Sequence, residues 1–189
     1  MRRAAIGVGV LWALACGGPP PGGASPPSGD VQAATAPPVA PVVPRSAWHM
    51  HTERSPMDDS VSVAAGNDST DVWNDRFGRQ HGAQMVLRCE HNKTELFIDF
   101  GASLEIEDLD SVRLALRFDS DKATKQWAGR ATNYTGAFLR DPIDTAKAMT
   151  KHATLAVAFT PSGLGETYVH FDLVGADEAV KQVREACHW

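Results

Sequence analysis

The sequence is poor in cationic residues and in long apolar runs, and each shortage excludes a class of protein. It has 18 Lys and Arg against 23 Asp and Glu, a net charge of −5. Nucleic-acid-binding proteins need a basic face that displaces counterions, so this balance argues against a nucleic-acid partner. The apolar run from Ala4 to Leu14 is shorter than the roughly 20 residues that a membrane-spanning helix requires. With 43% hydrophobic residues, the chain has the composition of an ordinary globular domain plus extensions.

The common motifs of metal sites and catalytic nucleophiles are also missing. There is no Cys-x-x-Cys, His-Glu-x-x-His or Gly-x-Ser-x-Gly. His49 and His51 are the only tight pair among seven histidines, and zinc needs three or four ligands. Acidic residues that could suggest calcium lack the EF-hand spacing and are interpreted as solvated loops: Asp119, Asp121, Glu105, Glu107, Asp108 and Asp110. We therefore expect no metal and no cofactor.

The N-terminus has the pattern of an export signal. Arg2 and Arg3 precede the short apolar run, which is followed by Ala13-Leu14-Ala15-Cys16. This ending resembles a bacterial lipobox, although the position three before the cysteine is Ala13 where Leu is usual. We predict a signal peptide over residues 1–15 and a lipid on Cys16, the alternative being an ordinary secretory signal that leaves a free cysteine. Gly17 after the cysteine resembles the pattern of outer-membrane lipoproteins.

A proline-rich segment follows the cysteine. Residues 17–45 contain nine of the 12 prolines, and most of the other residues are Gly, Ala and Ser. Such a chain cannot bury enough apolar surface to offset its ordering entropy, and it tends toward extended polyproline II. We interpret residues 16–45 as a lipidated, disordered tether and residues 46–189 as one folded domain.

The folded part is dominated by segments that alternate with period two. Such runs predict half-buried strands at six places. The first two, around Met85 to Cys89 and Thr94 to Phe100, are joined by Glu90-His91-Asn92-Lys93 and predict a hairpin with a four-residue loop. The others lie at residues 112–118, 126–132, 155–159 and 169–173. The pattern predicts a mainly β (α+β) fold, an antiparallel sandwich or barrel-like sheet.

Two helices are predicted beside the sheet. The first begins at Asp141-Pro142, with Asp141 as cap and Pro142 at the first helical position, and runs to about Lys151. The second covers Asp177 to Cys187, with an apolar stripe and acidic residues in its first turn.

Apart from Cys16, the chain has two cysteines, Cys89 and Cys187. Two cysteines in an exported domain predict a disulfide, which would join the C-terminal helix to the first hairpin. The alternative is a redox or nucleophilic cysteine, which requires an exposed thiolate near a basic group. Cys89 lies on an apolar strand face, which favours the disulfide.

Several sequence blocks occur in the order of a known family. They are Ser55-Pro56-Met57-Asp58-Asp59-Ser60, Leu87-Arg88-Cys89, Asn92-Lys93-Thr94-Glu95-Leu96-Phe97-Ile98, Phe171-Asp172-Leu173 with Gly175, and Arg184-x-Ala186-Cys187-x-Trp189. Together they resemble the VasI/TagO family of type VI secretion-associated proteins, from about residue 48 to the C-terminus. The resemblance implies a small exported protein and supplies no reaction.

Three functions are compatible with these observations. The leading hypothesis is a non-enzymatic accessory or binding module, held in the cell envelope by the lipid on Cys16 and contacting an envelope protein through strand edges and loops. We expect it at the outer membrane, facing the periplasm or the cell surface. The alternatives are an envelope-polymer hydrolase using Asp58, Asp59 or Asp99, and an immunity or inhibitor-like lipoprotein that binds a toxin.

Overall fold

The computed structural model describes residues 46–108 and 110–189. This part of the chain forms nine strands and two helices: β1 (Trp48–Arg54), β2 (Val61–Asn74), β3 (Gln80–Glu90), β4 (Lys93–Asp99), β5 (Ser111–Phe118), β6 (Thr124–Arg130), β7 (Gly136–Leu139), α1 (Pro142–Met149), β8 (Thr154–Phe159), β9 (Thr167–Asp172) and α2 (Ala176–Cys187). The predicted signal peptide, Cys16 and the tether lie outside the described residues.

All nine strands belong to one antiparallel sheet. Their order is β1-β2-β3-β4-β7-β6-β5-β8-β9, so most neighbours in the sheet are also neighbours in the chain. One face of the sheet carries the buried side chains, and both helices lie against the β1 to β4 half. The predicted mainly β fold with a short helix and a C-terminal helix is confirmed.

The predicted hairpin, which is formed by β3 and β4, has a tighter turn than expected. Glu90 pairs directly with Lys93, so the loop is His91-Asn92 instead of four residues. Both residues are in the left-handed region, with φ of 49° and 57°. Two consecutive left-handed residues match the twist of the two strands they connect, which is why short hairpins favour this turn.

The helices lie where they are predicted, but one cap differs. α1 begins at Pro142, yet the Asp141 side chain makes no capping hydrogen bond. Its backbone carbonyl instead accepts from the N–H and the hydroxyl of Thr145, at 3.0 and 2.9 Å. Asp141 is therefore the cap residue, as predicted, but it caps through its backbone carbonyl, which accepts the first bond of the helix, and its side chain adds no bond.

A bulge in β2 brings the two halves of the sheet together. The β2–β3 register shifts between Asp68 and Val72, and the Ser69 hydroxyl accepts the N–H of Ala83 at 2.9 Å in place of a backbone carbonyl. Side chains around this bulge reach β9: the Asn67 amide donates to the Asp172 carbonyl at 2.7 Å. The sheet thus curls until β9 lies beside β2, which makes it barrel-like.

The disulfide fastens the C-terminal helix to this sheet. Cys89 in β3 and Cys187 in α2 are bonded, and both are buried, with exposures of 2% and 7%. The bond joins positions 98 residues apart in sequence. A cross-link over so long a loop restricts the unfolded chain strongly.

Neither helix in the described part of the chain is long and apolar enough to cross a membrane.

Candidate interaction surface

The connections of the sheet gather at its two ends. One end holds the β2–β3 turn, the β4–β5 connection, the β6–β7 turn and the β8–β9 loop, which we call the loop cluster: residues 75–79, 100–108, 131–135 and 160–166. The opposite end holds the β1–β2 loop and the His91-Asn92 turn. Since loops on a rigid scaffold commonly carry binding residues, both ends are candidates.

The turn between β2 and β3 is closed by several hydrogen bonds. The Asp75 backbone N–H donates to Arg79, and Gly78 donates back to Asp75, both at 2.9 Å. Gly78 supplies the positive φ of 76° that this turn requires. These two bonds and the conformation of Gly78 close the turn.

The Asp75 carboxylate holds the turn from within. Its oxygens accept the N–H groups of Phe77 and Arg79 at 2.8 and 3.0 Å, the guanidinium of Arg79 at 2.7 Å and Nε2 of His81 at 3.1 Å. Burial of the carboxylate tends to raise its pKa. The backbone N–H of Arg79, the side chains of His81 and Arg79 and the N–H of Phe77 outweigh burial and hold the pKa of Asp75 well below its usual range.

An aromatic stack in the core supports this network. The His81 ring lies 5.0 Å from the Trp73 ring, and Trp73 Nε1 donates to the Phe100 carbonyl at 3.1 Å. Trp73 and Phe100 both pack on Phe159, with ring centroids 5.3 and 4.0 Å apart. The turn is thus anchored to the most buried part of the domain.

Phe77 stands at the tip of this rigid turn and is 67% exposed. The Arg76 and Arg79 guanidinium carbons lie 4.7 and 5.2 Å from the centre of its ring. Beside it is a cleft of about 160 Å³, lined in part by Ala102, Pro161 and Ser162. Aromatic residues and arginine are both enriched in protein interfaces, so Phe77 and its two arginines are a candidate contact point.

Two further exposed hydrophobic residues extend this surface. Tyr134 is 54% exposed, with the Arg130 guanidinium 4.5 Å from its ring, and Ile106 is 44% exposed. Their loops are joined by backbone bonds, from Leu104 to the Tyr134 carbonyl at 3.1 Å and from Glu105 to the Thr160 carbonyl at 2.8 Å. The cluster is therefore one connected surface.

The carboxylates considered for hydrolysis are not brought together. Asp58 and Asp59 lie in the β1–β2 loop, not in a strand, whereas Asp99 is at the far end of β4. The register places Thr94 level with Val63 near that loop, so Asp99 is displaced by five residues, roughly 17 Å of strand. Asp99 instead accepts bonds from the Gly101 N–H and the Asn133 amide, at 2.8 and 3.3 Å.

The Ser55–Ser60 block forms a loop that is closed by its own bonds. Ser55 donates to the Ser60 carbonyl at 2.8 Å, and the Asp58 carboxylate accepts the Ser60 hydroxyl at 2.8 Å. Hydrogen bonds from Ser55, followed by those from Ser60, hold the pKa of Asp58 below its ordinary value. Met57 projects from the loop and is 90% exposed.

The histidines and acidic residues considered as metal ligands have other neighbours. His49 lies 3.7 Å from Asp68, and His51 lies 3.8 Å from Glu53. Glu107 and Asp110 pair with Arg113 and Arg130, at 2.6 and 3.1 Å. Among residues 46–108 and 110–189, no three His, Cys, Asp or Glu side chains are placed to hold a metal ion.

Another acidic candidate, Asp119, accepts the Thr154 N–H at 2.8 Å and lies 3.0 Å from His152. These two contacts, the Thr154 bond foremost, hold the pKa of Asp119 below its ordinary value. Asp119 thus fixes the chain before β8.

The site residues that sequence reasoning missed are Asp75, Phe77 and His81, although Asp75-Arg76-Phe77-Gly78 is a turn signature around an aromatic residue.

These features define a curled antiparallel sheet that carries a loop cluster with an exposed aromatic residue at its tip. The family profile described as type VI secretion system VasI, EvfG matches residues 24–189. The chain belongs to this family, as its sequence blocks predict, and is in that sense a type VI secretion-associated protein.

A solved structure shares the fold. The crystal structure of invasion associated protein b from Bartonella henselae is similar with a TM-score of 0.51 and 10% sequence identity, over 76% of this chain and 96% of that chain. At this identity the likeness concerns the fold alone. No curated protein matches the sequence.

Proposed function

We propose that the protein is a non-enzymatic accessory module of type VI secretion that binds an envelope protein through the loop cluster. The observation that supports this most is Phe77, an exposed ring on a turn that is already fixed by Asp75. A preformed anchor loses little conformational entropy on binding, so more of its contact energy becomes affinity. Membership of the VasI family supplies the context of the partner.

The arrangement of histidines supports a role without catalysis. Three hydrogen-bonded Asp–His pairs occur among the described residues: Asp75 with His81, Asp119 with His152, and Asp71 with His170. A nucleophilic mechanism also needs a serine or cysteine bonded to the other ring nitrogen. No such bond is present within residues 46–108 and 110–189, and both described cysteines are in the disulfide.

The lipid anchor on Cys16 is part of the same proposal. Lipid on Cys16 would hold the chain in the envelope, at the outer membrane facing the periplasm or the surface. Residues 16–45 would act as a tether, because extended proline-rich chain rises roughly 3 Å per residue. That length lets the domain reach a partner several tens of ångströms from the membrane.

The test is affinity capture of the full chain from cells that carry a type VI secretion system. Phe77→Ala should lower recovery of the partner at least about tenfold, because truncation of an anchor residue commonly costs 2 kcal/mol or more. Met57→Ala is the control, since Met57 is 90% exposed but lies in the β1–β2 loop, at the end of the sheet opposite the loop cluster. Recovery of secretion subunits that is equal for both variants would exclude the loop cluster, and recovery of one toxin-like protein would favour an inhibitor.

A further inference from the structure

The two edge strands of the sheet, β9 and β1, differ in whether their outward backbone groups have hydrogen-bond partners. The outer edge of β9 is covered by side chains of β2: the Asn67 amide donates to the Asp172 carbonyl at 2.7 Å, and Asp71 accepts the His170 N–H at 2.9 Å. At the other edge, residues 49–54 of β1 are all exposed. Their described backbone bonds go only to β2. An open strand edge is a template for pairing with another chain.

The register shows which backbone groups are open. The Ser55 N–H donates to the Ser60 carbonyl, at the position that continues the β1–β2 pairing. In an antiparallel ladder the bonded residues alternate, so His49, His51 and Glu53 face β2. The N–H and C=O groups of Met50, Thr52 and Arg54 therefore point away from the sheet.

We infer that a second copy of this chain occupies the edge, with the two β1 strands antiparallel about a two-fold axis at His51. This register places His49 opposite Glu53 of the second copy, and Met50 opposite Thr52. The first pair sets an imidazole against a carboxylate, which is favourable across strands. A parallel arrangement would instead place each His49 beside its own copy. The strand is therefore self-complementary in the antiparallel sense that a two-fold axis generates.

The expected contact is small. The two Met50–Thr52 pairs would exchange about four backbone hydrogen bonds, while His51 would face its copy at a non-bonded position, with Cα atoms about 4.5 Å apart. One strand pair buries less than the roughly 1,200 Å² of a standard stable interface, so we expect a dissociation constant in the micromolar range or above. This dimer would form along the β1 edge, outside the loop cluster, and it is independent of the proposed secretion role.

Cysteine cross-linking tests the register in the full chain. His51→Cys should form a disulfide-linked dimer on non-reducing electrophoresis, because the two side chains would be directly opposite each other. Val72→Cys is the matched control: its side chain is 61% exposed in β2, away from the β1 edge, and should stay at the wild-type level. The wild type accounts for any dimer formed through Cys16.

Two substitutions of Thr52, by proline and by alanine, test the backbone hydrogen bonds of the dimer. Dimerisation is measured by sedimentation at high micromolar concentration. Thr52→Pro removes an outward N–H that β2 does not use, so dimerisation should weaken about tenfold or more. Thr52→Ala keeps that N–H and should behave as the wild type. Far-ultraviolet circular dichroism checks that each variant is folded. The inference is overturned if the wild type is monomeric, if His51→Cys cross-links no more than Val72→Cys, or if a strand of a different protein is found at the edge.

Discussion

The charge of Asp75 matters most among single residues of the loop cluster, because four bonds to its carboxylate fix the Phe77 turn. Asp75→Asn removes that charge. We expect a lower melting temperature and a more mobile turn, seen as faster amide exchange at Phe77 and Arg79. Asp121→Asn, at an exposed turn after β5, is the control and should change neither. Unchanged exchange in Asp75→Asn would show that the turn is held by other contacts.

The lowered pKa of Asp75 also predicts how the stability of the protein depends on pH. Since its pKa is lower in the folded chain than the ordinary value of 3.8, its contribution to stability is complete above about pH 4 and is lost as the pH falls below that value. The difference in melting temperature between wild type and Asp75→Asn should therefore be large at pH 7 and shrink toward pH 2. A difference that does not vary with pH would contradict this assignment.

The residues of this site were hard to predict because nothing in their sequence is periodic. Asp75, Phe77 and His81 come together only through a turn, a bulge and the packing of Trp73 on Phe159. Cys89 and Cys187, in contrast, could be paired from their number and the apolar strand pattern, and the structure joins them. Sequence therefore indicated how the domain is cross-linked but not where the exposed Phe77 lies.

At the scale of elements, the disulfide is expected to be the largest single contribution to the free energy of unfolding. Replacing both Cys89 and Cys187 by Ala opens a loop of 98 residues, for which chain entropy allows up to about 4.7 kcal/mol. A melting temperature lower by roughly 10 °C should follow, measured by circular dichroism. Cys16→Ser is the matched control and should leave the transition unchanged. An equal effect of the two changes would contradict this account.

The start of α2 depends on one glycine. Gly175 has φ of 87°, and a Cβ there would lie 2.3 Å from the Ser46 hydroxyl oxygen. Gly175→Ala should therefore cost about 1–2 kcal/mol in free energy of unfolding, before any cost of displacing Ser46. Gly165→Ala, at a loop position with open space around the new Cβ, is the control and should be nearly neutral. Chemical denaturation compares the two.

The elements that sequence predicted are those with regular burial. β5 and β8 bury alternate apolar residues, whereas β1 is exposed after Trp48 and β7 has only four residues. β2 was missed because its buried positions include Ala65 and Asn67 and a bulge interrupts it. A strand without an alternating apolar face has no signal in the sequence and is formed by its neighbours.

At the scale of the whole molecule, the proposed lipid on Cys16 can be tested separately. Cys16→Ser removes the thiol that would carry the lipid, so the full chain should move from the membrane fraction to the soluble fraction of broken cells. Labelled palmitate should be incorporated into the wild type and not into the variant. A variant that stays in the membrane fraction would show that something other than Cys16 anchors the chain.

The central claim, that the loop cluster binds a secretion partner, is tested most directly by photo-cross-linking in living cells. A photoreactive residue at position 77 is compared with one at position 57, because Met57 is more exposed than Phe77 but lies at the opposite end of the sheet. The account predicts that position 77 captures a type VI secretion subunit and that position 57 does not. Capture from position 57 alone, or equal capture from both positions, would contradict it.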